Sequence, residues 1–133
     1  DPALLNQRCW ILAISGGDLE SALAACNASL KADPEYAPAL DSRGLVHLKR
    51  GEFEAALADY ESALTLQPGR GHFLYGRGLA RLVLSRGAEG DADLAAAERS
   101  EPGIGEAYRG YGVSVTRRTI PSPAPSPLQT SPL

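Results

Sequence analysis

The chain has 133 residues, 44% of them apolar and 22% charged, with a net charge of −3. That suits a single domain and is too apolar and too weakly charged for a disordered acidic chain. With no Lys/Arg cluster the chain lacks a nucleic-acid surface, and no stretch approaches the ~20 apolar residues of a membrane span.

Fourteen Gly and ten Pro, against one Trp and no Met, disfavour a β-sandwich and point to helices of small residues. The start at Asp1, without an initiator Met, reads as a processed or excised form. Pro34, Pro68 and Pro102 stand 34 residues apart, each closing a similar phrase: Ala-Ser-Leu-Lys-Ala-Asp-Pro34, Ser-Ala-Leu-Thr-Leu-Gln-Pro68 and Ala-Ala-Glu-Arg-Ser-Glu-Pro102. A fixed period of this size marks a repeat architecture. The first unit, residues 3–36, reads as two helices about a turn at Gly16-Gly17-Asp18. In the second, 37–70, residues Ala39, Leu40, Gly44, Leu45 and Leu48 share a helical face. Gly51 breaks that helix, and Phe53, Ala56, Leu57, Tyr60, Ala63 and Leu64 make a second stripe that Pro68 ends. The third, 71–104, turns at Ser85-Arg86-Gly87. A short capping helix is expected over 105–113, with the array ending near 118. A helical hairpin cannot bury its own stripe, so neighbours must stack. Residues 119–133 hold five prolines and no charge. They read as an extended terminus, or as a ligand lying on the repeat surface of their own or a neighbouring molecule.

The second unit reads Leu40-x-x-Arg43-Gly44-x-x-His47, Ala56-x-x-x-Tyr60-x-x-Ala63, Pro68. The third reads Leu74-x-x-Arg77-Gly78-x-x-Arg81, Gly90-x-x-x-Leu94-x-x-Ala97, Pro102, and the first Asn6-x-x-Cys9-Trp10-x-x-Ala13, Ala22-x-x-x-Cys26-x-x-Ser29, Pro34. This resembles the tetratricopeptide (TPR) family. The resemblance implies an all-α solenoid, an α-α superhelix of three helical hairpins plus a C-terminal capping helix. Trp10 stands where the family usually has Gly, so the first hairpin is expected to open slightly there.

Nucleophiles and metal ligands are few: Cys9, Cys26, His47 and His72. Cys9 and Cys26 lie symmetrically about the first turn, which leaves open a disulfide or two buried thiols. With His47 they make a three-ligand zinc alternative that lacks a fourth donor. His72 reads as an exposed helix start, and Asp91 and Asp93 as helix-start acids favouring the dipole. Gly76-Arg77-Gly78 lies mid-helix and is no phosphate loop. No enzyme activity, cofactor or metal is expected. Asn6-x-x-Cys9-Trp10 with Ala25-Cys26-Asn27 resembles exported bacterial TPR proteins. That likeness implies a Cys9–Cys26 disulfide and a periplasmic or otherwise exported setting, with the cytoplasm as the alternative.

The resemblance also implies a concave groove lined by the first helices. Register assigns it Gln7, Arg8, Ile11 and Ile14; Asp41, Ser42, Leu45, Leu48 and Lys49; Tyr75, Leu79, Leu82 and Val83; and Arg109. The rows Ile11, Leu45, Leu79 and Ile14, Leu48, Leu82 are either an apolar trough for a peptide or contacts between neighbouring helices. The positions at which some TPR domains clamp a terminal carboxylate carry Gln7, Ile11, Ser42 and Leu79, so that activity does not transfer. The expected function is a non-catalytic scaffold holding a peptide or partner domain, its own Pro-rich tail among the candidates. The alternatives are an accessory module of a larger exported enzyme and a self-associating repeat protein.

Overall fold

Each predicted unit is a helical hairpin in the computed structural model, which describes residues 1–113 and 115–116. The expectation for the Pro-rich tail lies outside the described residues. The first hairpin is α1 (Pro2–Ile14) and α2 (Leu19–Ala32), the second α3 (Ala37–Arg50) and α4 (Phe53–Leu66). The third is α5 (Gly71–Val83) and α6 (Gly87–Ser100), followed by the cap α7 (Ile104–Gly110). No strand occurs among the described residues, and no helix there is long and apolar enough to cross a membrane.

Local chemistry sets these boundaries. The Asp1 carboxylate accepts the Ala3 N–H at 2.9 Å, and Asp18 accepts the Glu20 N–H at 3.0 Å, so both helices of the first hairpin carry side-chain caps. Pro2 and Pro38 sit in first turns, where a missing N–H costs nothing. The second hairpin turns on Gly51 at φ 77°, and Ser85 holds the equivalent place in the third at φ 64°.

Successive first helices touch one another: α1 meets α3, α3 meets α5, and α5 meets α7. The second helices lie outside them, so the stack curves with α1, α3, α5 and α7 on its inner face. The seam between second and third units is one ring. Tyr60 on α4 is fully buried, and a Cβ added at Gly44 or Gly76 would come within 2.8 or 2.2 Å of it. Two glycines from different hairpins thus make the slot that this phenol fills.

A paired charge repeats with the same period. Arg43 clasps Asp59 through Nε and Nη2 at 2.9 and 2.8 Å, and Arg77 clasps Asp93 at 2.9 Å through both. Arg81 adds a bond to Asp93 at 2.8 Å. Asp93 is therefore a buried hairpin clasp midway along α6, not a helix-start acid. In the first unit Cys9 takes the place of Arg43 and Ala25 that of Asp59. A Cys9–Cys26 disulfide spans this hairpin instead, with Cα atoms 5.3 Å apart. It settles the open alternative and removes the zinc set; His47 lies 2.9 Å from Glu52 and 3.6 Å from Asp59 instead. The Trp10 ring lies on the inner face, beside His72 and Tyr111.

The apolar rows are core, not trough. Leu45, Leu48, Leu79 and Leu82 are 0 to 8% exposed and belong to the continuous core of the stacked hairpins. Ile11, with no hairpin before it among the described residues, is 60% exposed.

Candidate functional site: the inner face

Four elements meet on the inner face. His72, at the start of α5, places Nδ1 2.8 Å from Asp41 Oδ1 on α3 and Nε2 3.3 Å from the Tyr111 hydroxyl just beyond α7. Trp10 on α1 closes the cluster, its ring edge-on to Tyr111 at 5.0 Å and 5.6 Å from His72. Tyr108 on α7 stacks beside His72 at 4.9 Å and donates its hydroxyl to the His72 carbonyl at 2.6 Å. Around these groups Asn6, Pro38, Ser42 and Arg70 complete a depression of about 330 Å³. The Ser42 hydroxyl donates to Asn6 Oδ1 at 2.6 Å, joining first and second units.

Burial decides the chemistry. It raises the Asp41 carboxyl above its ordinary value, partly offset by the hydrogen bond from His72. Desolvation also raises the Tyr111 phenol and pushes the Tyr60 and Tyr108 phenols well up. The Tyr111–His72–Asp41 chain has the outline of a relay, but a phenol raised in this way stays protonated and donates hydrogen bonds. Lys49, its ammonium lowered by desolvation, donates to the Ala13 carbonyl and to the Tyr111 carbonyl at 2.8 Å. One side chain therefore ties the first unit, the second unit and the chain beyond the cap.

The residues assigned by register divide. Asp41, Ser42 and Lys49 do meet on the inner face. Tyr75, Leu79 and Arg109 line a second depression of about 270 Å³ with Tyr108, Val113 and Val115. Arg8 lies elsewhere, over the first hairpin with Leu5, Ser21 and Ala28. Gln7 and Ile11 are exposed, Ile14 is half-buried against the core, and the four leucines are covered. His72, read as an exposed start, has a side chain only 12% exposed. The missed residues were Asn6, Trp10, Arg70, His72, Tyr108 and Tyr111. Trp10 and Tyr111 carried a signal, as large rings at positions where the repeat pattern does not need them.

One carboxylate fastens the start of the cap. Glu98 accepts the Gly105 N–H at 2.9 Å and the Gly103 N–H at 3.0 Å, and these bonds, Gly105 first, lower its pKa. A depressed carboxyl stabilises the fold above its unfolded value and loses that contribution as pH falls through the folded one. Acidification below the ordinary carboxylate range should therefore loosen the first turn of α7. Amide protection factors at Gly103 and Gly105 should drop with pH in the native chain and stay uniformly low in Glu98→Ala; equal behaviour would deny the cap.

Residues 37–70 match the family model for the tetratricopeptide repeat. Among solved structures, a mutant O-GlcNAc transferase of Thermobaculum terrenum superimposes with a TM-score of 0.71 at 25% identity, over 76% of this chain. The second hairpin is thus a tetratricopeptide repeat, and the first and third hairpins share its plan. The TPR array spans only 19% of that transferase chain. No curated protein matches the sequence. TPR repeats generally mediate protein–protein interaction, and the inner face is where this array gathers rings and polar groups from all three hairpins and the cap.

Proposed function

We propose that the chain is a non-catalytic interaction module that holds a protein partner along its inner face. The observation that carries this is the open cluster of Trp10, Asp41, His72 and Tyr111, which draws one side chain or more from each unit and the cap. Aromatic rings with a few convergent polar groups are the make-up of a recognition surface. The Cys9–Cys26 disulfide favours an exported, oxidising compartment such as the periplasm.

The test is partner capture from the source cell with two folded variants. Asn6→Ala with Arg70→Ala alters the inner face, while Glu54→Ala with Ser62→Ala alters exposed positions on α4. Loss of a partner with the first pair alone supports the reading; loss with the second alone refutes it. A second reading has its own support. The solved neighbour carries its matching region within a much longer transferase chain, which favours an accessory role for this array beside another domain.

A further inference from the structure

The depression around Trp10 sets one large ring among polar atoms that the chain leaves unsatisfied. Asn6 Oδ1 accepts from Ser42 at 2.6 Å, and Asp41 Oδ1 lies 2.8 Å from His72 Nδ1. Asn6 Nδ2, Asp41 Oδ2 and the Trp10 indole N–H make no hydrogen bond among the described residues. There Arg81 Nε is the sealed side-chain atom without a partner, so these three atoms reach solvent. Three different residues of one hollow thus hold out two donors and an acceptor beside an aromatic face. Their mounting is firm: the Tyr111 ring backs Trp10 edge-on at 5.0 Å, and His72 fixes Asp41, whose side chain is 14% exposed.

Size and chemistry narrow the ligand. A hollow of about 330 Å³ is at the small end of ligand sites, which run from roughly 300 to 1,000 Å³, and it has room for one ring. An apolar ligand would cover the three unsatisfied atoms without replacing their water. A charged ligand meets no unanswered charge, since Asp41 is held by His72 and Arg70 stands 3.5 Å from Glu101. A hydroxylated ring answers both features. Each hydroxyl donates and accepts, so it suits the Asn6 amide, the Asp41 carboxylate and the indole N–H alike. Its C–H face lies against the negative face of the indole, and a rigid ring loses little freedom on binding. We propose that this depression binds a hexopyranose, stacked on Trp10 and held by hydroxyl bonds to Asn6, Asp41 and Arg70. The site rests on the depression alone and does not depend on a protein partner.

Trp10 is the single tryptophan, so its emission reports on the site without a label. The probes are methyl glucoside, methyl galactoside and methyl mannoside, with tetraethylene glycol as a flexible polyether lacking the ring. Titrated into the full chain, at least one glycoside should shift Trp10 emission saturably, with a midpoint on the order of millimolar for so small a ligand. Saturation-transfer NMR should place that sugar's ring C–H protons nearest the protein, and the glycol should produce neither signal. Asn6→Ala with Arg70→Ala should raise the midpoint at least roughly fivefold while circular dichroism stays unchanged. Where that pair unfolds, Asp41→Asn, which keeps the shape of the side chain, should raise it instead. Glu54→Ala, on the outer face of α4, should leave it where it was. The proposal is overturned by the absence of a saturable shift with all three glycosides, by an equal shift with the glycol, or by an unchanged midpoint in the folded inner-face variant.

Discussion

Tyr60→Ala should lower the stability of the array by about 4 kcal/mol, the scale for removing a buried aromatic ring. It should also change the form of unfolding. The ring fills a slot made by Gly44 in its own hairpin and Gly76 in the next, and its hydroxyl lies 3.4 Å from that of Tyr108 in the cap. A repeat array is stabilised by terms within units and terms between neighbours. Deleting Tyr60 removes one of each, so the third unit and cap should melt apart from the first two. Gly76→Ala probes the same slot from the opposite side: its Cβ would fall 2.2 Å from the ring and force it to move, for about 1–3 kcal/mol. Urea unfolding followed by helix signal and by Trp10 emission measures both. A single unchanged transition in Tyr60→Ala would show that the ring does not couple the units.

Period and hairpin were legible because they rest on local rules. Pro34, Pro68 and Pro102 end helices wherever they stand, and the 34-residue spacing forces stacking whatever the surroundings. The fate of Leu45 and Leu79 was not legible by the same means. A helix with an apolar stripe shows that something covers it, but whether that cover is a neighbouring helix or a ligand is a tertiary fact. The Arg43–Asp59 and Arg77–Asp93 clasps were half visible. The arginines stood in the repeat motif, whereas Asp93 read as a helix-start acid and Asp59 carried no signal until the two helices were laid side by side. The inner-face cluster was hidden more deeply. His72, Asp41, Trp10 and Tyr111 span 102 positions of sequence, and only the curvature of the stack brings the cap back to the first helix. Where a residue broke the local pattern, as Trp10 did in the place of Gly, it marked the site.

The other large effect belongs to the first hairpin. Cys9→Ala with Cys26→Ala should cost about 3 kcal/mol, the scale expected for releasing a loop closed across 17 residues. That loss is concentrated, since the first unit has neither of the devices that hold the others. Ala25 leaves no acid to clasp an arginine, and Cys26 stands where the second unit has Tyr60. What remains is small-residue packing, the Ser29 hydroxyl bond to the Pro2 carbonyl at 2.7 Å, the contacts of α3, and the Trp10 ring against His72 and Tyr111. In an array whose units meet mainly their neighbours, with Trp10 alone among the described rings of α1 reaching His72 and Tyr111, α1 and α2 should therefore fray while the second and third hairpins keep their protection. The consequence reaches the inner face, because Trp10 is carried by α1 next to Cys9. Fraying there takes away the surface on which Tyr111 rests, and Trp10 emission should move toward that of a solvent-exposed indole. Hydrogen exchange by segment decides the matter: protection lost in α1 and α2 alone is the expected pattern. Uniform loss across all seven helices would mean that the array unfolds as one body and that the disulfide stabilises every unit equally.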